Sequence, residues 1–286
     1  MISQFEIAPA VPLGGDMPLI IAGPCVVENE TITLETARRM KAITGALGLP
    51  YVFKASYDKA NRTSASSFRS IGFDESLAIL RSVKHELGLP ILTDVHESYQ
   101  VAPVADVVDI VQIPAFLCRQ TDLLLEAGKS GRAVNIKRGQ FMAPEDMRYA
   151  VDKVREGGSD RAFLTERGAS FGYHNLVVDM RALPIMRQYA PVVFDVTHSV
   201  QTPGGAGGKS GGNREYAPFL ARAAAGAGVD GFFIETHPNP AEALSDGPNM
   251  IPLDQMESFL SMLLAVWQTS RPFVARLNEL TPAADA

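Results

Sequence analysis

Gly48-Leu-Pro-Tyr-Val-Phe-Lys-Ala-Ser56 and, forty residues on, Gly88-Leu-Pro-Ile-Leu-Thr-Asp-Val-His96 are two copies of one pattern. In each, a glycine closes a helix-compatible stretch and a proline prevents its continuation. A short apolar run rich in β-branched or aromatic residues follows, as a strand requires. Each run ends in polar residues: Lys54 and Ser56 in the first, Asp94 and His96 in the second. Outward from these two, the same plan covers the chain. Strand-like runs fall at Leu19–Cys25, Tyr51–Ser56, Ile91–His96, Val108–Pro114, Ala133–Lys137, Ala162–Arg167, Val192–His198 and Gly231–His237. Helix-compatible stretches lie between them, among them Thr31–Leu47, Asp74–Leu87, Pro144–Glu156 and Arg214–Ala225. Near Gln255–Thr269, Met256, Phe259, Leu260, Leu263, Leu264 and Trp267 share one face at helical spacing. Eight strands alternating with eight helices predict an α/β fold, a single-domain (β/α)8 (TIM) barrel. An open doubly wound sheet is the alternative, but it would carry a Gly-rich phosphate loop after its first strand. Here that strand ends in Ala22-Gly-Pro-Cys25 instead. Residues 1–18 read as a short N-terminal extension placed to plug the bottom of the barrel, 19–277 as the barrel, and 278–286 as a tail.

Composition narrows the function. The 286 residues carry 26 Lys plus Arg against 32 Asp plus Glu, a net charge of -6. An acidic chain lacks the broad basic surface that nucleic acid requires. No apolar run approaches a membrane span, and Met1 to Pro18 lacks the features of a secretory signal. Two cysteines, Cys25 and Cys118, give no disulfide framework. The expectation is a soluble cytoplasmic protein without nucleic-acid or membrane partners. The Gly-rich segment Pro203–Gly212 is not a Walker A loop, because Pro203 stands where that motif needs glycine. It reads as a lid over the barrel mouth, or else as a surface loop without a role.

In a barrel the C-terminal strand ends hold the active site. Lys54, Lys137 and Arg167 end strands two, five and six, and Lys59 and Arg62 follow Lys54 closely. Three cations within the nine residues Lys54–Arg62, interleaved with hydroxyls and an amide, match the oxygens of a small phosphorylated anion. Taken singly, each cation could instead pair with a neighbouring carboxylate. Strands seven, eight and one are adjacent once the barrel closes, which brings together His198, Glu235 and Cys25, with Asp246 in the loop after strand eight. This S/N/O set suits a divalent ion such as Zn²⁺ or Fe²⁺. The alternative is a buried thiol, a hydrogen-bonded histidine and two loop carboxylates. Cys118 reads as a plain buried thiol, and His96 and His237 have no assigned role.

These residues fall within segments that resemble the 3-deoxy-D-manno-octulosonate 8-phosphate synthase (KDO8P synthase) family. The segments are Ala22–Glu28, Phe53–Arg62, Thr93–His96, Gln112–Asp122, Asn135–Lys137, Thr165–Gly168, Phe194–Ser199 and Ile234–Pro238, and the likeness runs from Ile21 to Pro252. The sister heptulosonate 7-phosphate synthases typically read Lys-Pro-Arg-Thr-Ser where this chain reads Lys59-Ala-Asn-Arg-Thr-Ser64; Ala60-Asn61 favours the octulosonate family. The resemblance implies condensation of phosphoenolpyruvate with arabinose 5-phosphate and water, feeding lipopolysaccharide synthesis. It implies that Lys54, Ser56, Lys59, Lys137 and Arg167 hold phosphoenolpyruvate, and that Asn61, Arg62 and Thr63 (usually Ser) hold the aldose phosphate. Lys54, Lys59, Asp94, Lys137, His198 and Asp246 would serve catalysis, Asp94 also contacting substrate. Arg119 would reach a neighbouring subunit's site in a homotetramer. Family members with Cys at the end of strand one are metal-dependent, so Cys25, His198, Glu235 and Asp246 would hold one divalent ion. Zn²⁺ or Fe²⁺ come first, with Mn²⁺ and other divalent ions left open; no organic cofactor is implied. A heptulosonate synthase and a non-catalytic phosphosugar-binding barrel are the other readings.

Overall fold

The computed structural model describes residues 4–62, 64–204 and 211–280, with side chains to Val274. Eight parallel strands form its centre: β1 (Leu19–Gly23), β2 (Tyr51–Lys54), β3 (Ile91–Asp94), β4 (Ile110–Ile113), β5 (Ala133–Lys137), β6 (Ala162–Glu166), β7 (Val192–Asp195) and β8 (Gly231–His237). Each pairs with its sequence neighbour, and β8 pairs with both β7 and β1, so the sheet closes. Helices α1 (Glu30–Ala46), α2 (Phe73–Leu87), α3 (Val101–Ala105), α4 (Thr121–Lys129), α5 (Met147–Glu156), α6 (Ala182–Arg187), α7 (Ala217–Gly226) and α8 (Met256–Leu280) follow the strands in turn. The (β/α)8 expectation therefore holds.

Gly48 and Gly88 end α1 and α2 in the left-handed conformation, with φ of 66° and 63°, as the two quoted segments require. Gly23 is needed for a different reason. A side chain there would collide with the Lys54 carbonyl, so only glycine lets β1 and β2 run this close at the mouth. Several strands stop one to three residues short of the sequence reading. Pro24 and Pro114 cannot donate to the ladder, and Asp195 Oδ1 accepts the His198 N–H at 2.9 Å, turning the chain out of β7. Cys25, Arg167 and His198 thus begin loops rather than end strands.

Two apolar layers hold the barrel. Between sheet and helices lies the larger cluster, in which Trp267 of α8 is buried and donates to Val229 O at 2.7 Å. Inside the barrel a smaller cluster joins Leu19, Ile21, Val52, Leu92, Ile110, Ala133, Phe163, Val193 and Phe233. Phe5–Ala8 and Val11–Leu13 form an antiparallel hairpin that delivers Ile7 and Leu13 into that cluster, with the Phe5 ring 6.4 Å from Phe163.

Candidate active site

Side chains on a strand alternate faces, so two residues beyond each apolar interior position comes the next inward one. Val52 is followed by Lys54, Leu92 by Asp94, Ile110 by Gln112, Val193 by Asp195 and Phe233 by Glu235. On β5 and β6 the layers run Ala133, Asn135, Lys137 and Phe163, Thr165, Arg167. The barrel interior thus changes from hydrocarbon to ions within one layer. Phe233 marks the boundary: Lys137 Nζ lies 3.6 Å and Lys54 Nζ 5.4 Å from its ring centroid. Above it opens a cavity of about 1090 Å³, lined among others by Lys54, Lys59, Lys137, Arg167, His198 and Asp246.

The cations converge there, and they are not bare. Lys54 Nζ donates to Glu235 Oε1 and to the Cys25 carbonyl, both at 2.8 Å. Lys137 Nζ donates to Asp195 Oδ2 at 2.5 Å. Lys59 Nζ donates to Ser56 Oγ at 3.1 Å and lies 3.9 Å from Glu235. Burial opposes the Lys59 charge, but Cys25, Glu235, Asp94 and Asp246 around it offset that and raise its pKa. Burial lowers the pKa of Lys137, helped by Lys54 and opposed by Asp195. Arg167 is 5% exposed; its Nη2 donates to Gln201 Oε1 at 2.8 Å, while its buried Nη1 has no hydrogen-bond partner among the described residues. A buried guanidinium nitrogen without an acceptor is costly, and an anion in the cavity would satisfy it. Asp94 Oδ1 and Gln140 Oε1, also buried at the mouth, are likewise unpartnered among the described residues.

Across the mouth, Cys25, Glu235 and Asp246 each offer a ligand atom, and these atoms lie within 4.8 Å of one another. Cys25 Sγ lies 3.0 Å from Ser245 Oγ and 3.3 Å from Asp246 Oδ2, two acceptors within reach of its one thiol proton. His198 Nε2 stands 3.6 Å from Glu235 Oε2 and 3.9 Å from Asp246 Oδ2. Its Nδ1–H donates to the Asp195 carboxylate at 2.8 Å, which turns Nε2 toward Glu235 and Asp246. Burial opposes the Asp195 charge, but His198 and Lys137 hold its pKa well below the ordinary value. Glu235 is likewise held low, by Lys54, His198 and Lys59 against burial. Burial pushes the Cys25 thiol up, and Glu235 adds to this. Glu235 Oε2 is buried without a hydrogen-bond donor among the described residues. A thiol and two carboxylates with an orphaned oxygen among them fit a divalent ion, which would draw the thiol proton off; the expected fourth ligand, His198, stands beside this group and outside it.

The profile of the DAHP synthetase I family matches residues 4–271. The chain belongs to that family. It is 58% identical over 258 residues to the 2-dehydro-3-deoxyphosphooctonate aldolase of Geobacter metallireducens, covering 90% of this chain and 95% of that protein. Proteins of the same name from Koribacter versatilis and a Cyanothece species are 55% identical over 277 residues and 54% over 265. They cover 95% and 92% of this chain, and 99% and 97% of their own lengths. That name is another for KDO8P synthase, so the resemblance read from the sequence holds.

Within the family frame, most sequence-read residues meet at the mouth. Ser56, Asn61 and Arg62 line the cavity with the lysines. Arg62 is engaged by backbone, Nε donating to Phe68 O at 2.8 Å and Nη2 to Leu244 O at 3.2 Å. Asp94 lines the cavity and accepts from His96 Nε2 at 3.1 Å; burial opposes its charge, but His96 holds its pKa low. Arg119 is exposed and is not among the cavity-lining residues of its own chain. Thr63 and residues 205–210 lie outside the described residues, so the third aldose contact and most of the expected lid do too. The ends of that lid segment pair, Gln201 with Gly212 and Thr202 with Gly211. Sequence reading missed Asp195, which joins Lys137 to His198, and Gln201, which joins Arg167 to Asp246 at 3.3 Å. Asp195 carried a signal, since it precedes His198 by three residues at a strand end. Gln201 carried none. Two of the cations do pair with neighbouring carboxylates: Asp195 and Glu235 accompany Lys137 and Lys54, because several like charges in low dielectric are costly without counter-charges.

Proposed function

We propose that this protein condenses phosphoenolpyruvate with D-arabinose 5-phosphate and water, releasing phosphate and 3-deoxy-D-manno-octulosonate 8-phosphate for lipopolysaccharide synthesis. The identity to the named relatives supports the reaction class. The observation that carries the assignment to this site is the set Lys54, Lys137 and Arg167, buried around one cavity, with Arg167 Nη1 unpartnered among the described residues. The two substrates bring two phosphates and a carboxylate, about five negative charges. Lys54, Ser56, Lys59, Lys137 and Arg167 would hold phosphoenolpyruvate, and Asn61, Arg62 and Thr63 the aldose phosphate. Fixing both substrates side by side removes much of the entropic barrier to carbon–carbon bond formation. Asp94, held ionised beside His96, would orient the substrate carbons and accept from a sugar hydroxyl.

Cys25, His198, Glu235 and Asp246 would hold one divalent ion, Zn²⁺ or Fe²⁺ by the softness of the donors. Such an ion supplies Lewis-acid chemistry toward an aldehyde or a water. Asp195 fixes the His198 ring for that role, and Lys54 neutralises Glu235 beside it. The protein would work in the cytoplasm as a homotetramer, with Arg119 completing a neighbour's site. Among the described residues no helix is long and apolar enough to cross a membrane. The heptulosonate alternative is disfavoured by Ala60-Asn61 and by the names of the relatives.

The test is phosphate release from phosphoenolpyruvate with arabinose 5-phosphate against erythrose 4-phosphate, each with and without chelator. Faster turnover of the five-carbon aldose, abolished by chelation, is expected. Equal or faster turnover with erythrose 4-phosphate would overturn the substrate assignment. Full activity at near-zero metal content would overturn the metal requirement.

A further inference from the structure

The loop after β8 carries Asp246 to the metal-type cluster, and Arg62 Nη2 steadies it from one side by donating to Leu244 O at 3.2 Å. Between Asn239 and Ala243 its backbone bonds are local turns, Glu242 N–H to Asn239 O and Ala243 N–H to Pro240 O. The next residue makes the attachment. Leu244 N–H donates to Glu28 Oε1 at 2.9 Å, across 216 residues of sequence. Immediately afterwards Ser245 and Asp246 meet the Cys25 thiol. Asp246 does so with φ of 51°, in the left-handed region that L side chains seldom adopt. Strain of this kind persists only where neighbouring contacts hold it.

Glu28 is itself held in place. It lies three residues after Cys25, is 7% exposed, and turns its second oxygen toward His237 Nε2 at 3.6 Å. His237 Nδ1 accepts the Asn239 N–H at 3.0 Å, so a neutral ring carries its proton on Nε2. That nitrogen is buried with no hydrogen-bond partner among the described residues, and Glu28 is the carboxylate it faces. A glutamate and a histidine buried together with incomplete pairing are expensive to keep in a core. Their position, behind Cys25 on one side and at the root of the Asp246 loop on the other, gives them a use.

We infer that Glu28 is a positioning residue for the metal site: through the Leu244 N–H it fixes Ser245 and Asp246 against Cys25, and His237 keeps the Glu28 carboxylate aimed. This rests on the metal reading above. The experiment is titration of the metal-free full-length protein with Co²⁺, following the thiolate-to-cobalt absorption that reports coordination by Cys25. The wild type should acquire that absorption. Glu28→Ala should bind Co²⁺ about 10–100-fold more weakly, the range seen when a residue behind a metal ligand is removed. Its metal-free form should still unfold cooperatively, within about 4 °C of wild type. Glu28→Gln keeps an acceptor for Leu244 N–H and should recover affinity to within about threefold of wild type. Unchanged Co²⁺ affinity in Glu28→Ala would overturn the inference and leave the metal reading standing. So would failure of Glu28→Gln to recover affinity, or a much larger fall in the metal-free unfolding temperature of Glu28→Ala. A wild type that never develops the absorption would overturn the metal reading itself, and this inference with it.

Discussion

The two ends of the barrel are built on the same eight strands and obey opposite rules. At the bottom, Leu19, Val52, Leu92, Ile110, Phe163 and Val193 meet Ile7 and Leu13 from the N-terminal hairpin in a wholly apolar cluster. At the mouth, one inward position further along, stand Lys54, Asp94, Gln112, Asp195 and Glu235, all 7% exposed or less. Apolar burial at the bottom stabilises the fold by about 25 cal/mol per Å². Buried ions at the mouth oppose folding unless paired, and among the described residues the pairing is incomplete, with Arg167 Nη1, Asp94 Oδ1 and Glu235 Oε2 unsatisfied. The bottom holds the strands together so that the mouth can keep charges that water would otherwise take.

That contrast breaks if changes at the bottom alter chemistry, or changes at the mouth alter only stability. The largest effect should come from Phe163→Ala. Removing a buried ring packed on Phe5 should cost about 3–5 kcal/mol of stability by denaturant unfolding. The surviving folded enzyme should keep its kcat, and a large fall in kcat would show that bottom and mouth are coupled. Next, Lys137→Met keeps the volume beside Phe233 and removes the charge. We expect kcat/KM for phosphate release to fall about 10²–10³-fold, as for other lost electrostatic clamps. Near-normal turnover would remove Lys137 from the substrate set.

Arg62→Ala should cost about 1.5–3 kcal/mol in aldose use, the worth of a charged hydrogen bond. The loss should appear chiefly in KM for arabinose 5-phosphate, and unchanged constants would assign Arg62 to holding Phe68 and Leu244 alone. Asp94 sharpens the contrast through pH. Its folded pKa is depressed by His96 against the opposing effect of burial, so its stabilisation is present above the ordinary aspartate value near 4 and is lost as pH falls below that. Asp94→Asn should therefore flatten the acid limb of the stability profile, by at most about 1.4 kcal/mol per pH unit. An unchanged limb would show that Asp94 does not contribute to it. The smallest effect belongs to the second cysteine. Cys118 is buried in the apolar cluster between sheet and helices; Cys118→Ala should cost about 1 kcal/mol and leave Co²⁺ affinity unchanged. A weakened metal site would contradict the reading of Cys118 as packing.

The sequence by itself determined the eight strands, the helices between them and the order in which the barrel closes. Glycine–proline punctuation and apolar runs are local signals, read within a few residues, and α2 begins and ends within one residue of its expected bounds. It also determined which residue types stand at the strand ends, because strand periodicity and chain position suffice for that. Cys25, His198, Glu235 and Asp246 could be grouped once the first and last strands were taken as neighbours. Tertiary structure alone decided the partners. Lys137 pairs with Asp195 across 58 residues, Lys54 with Glu235 across 181, and Leu244 with Glu28 across 216. Such pairs depend on the angle at which each side chain enters the mouth, which the closure of the whole barrel sets. A buried charge must find whatever counter-charge that closure brings within reach, and sequence spacing carries no record of the distance.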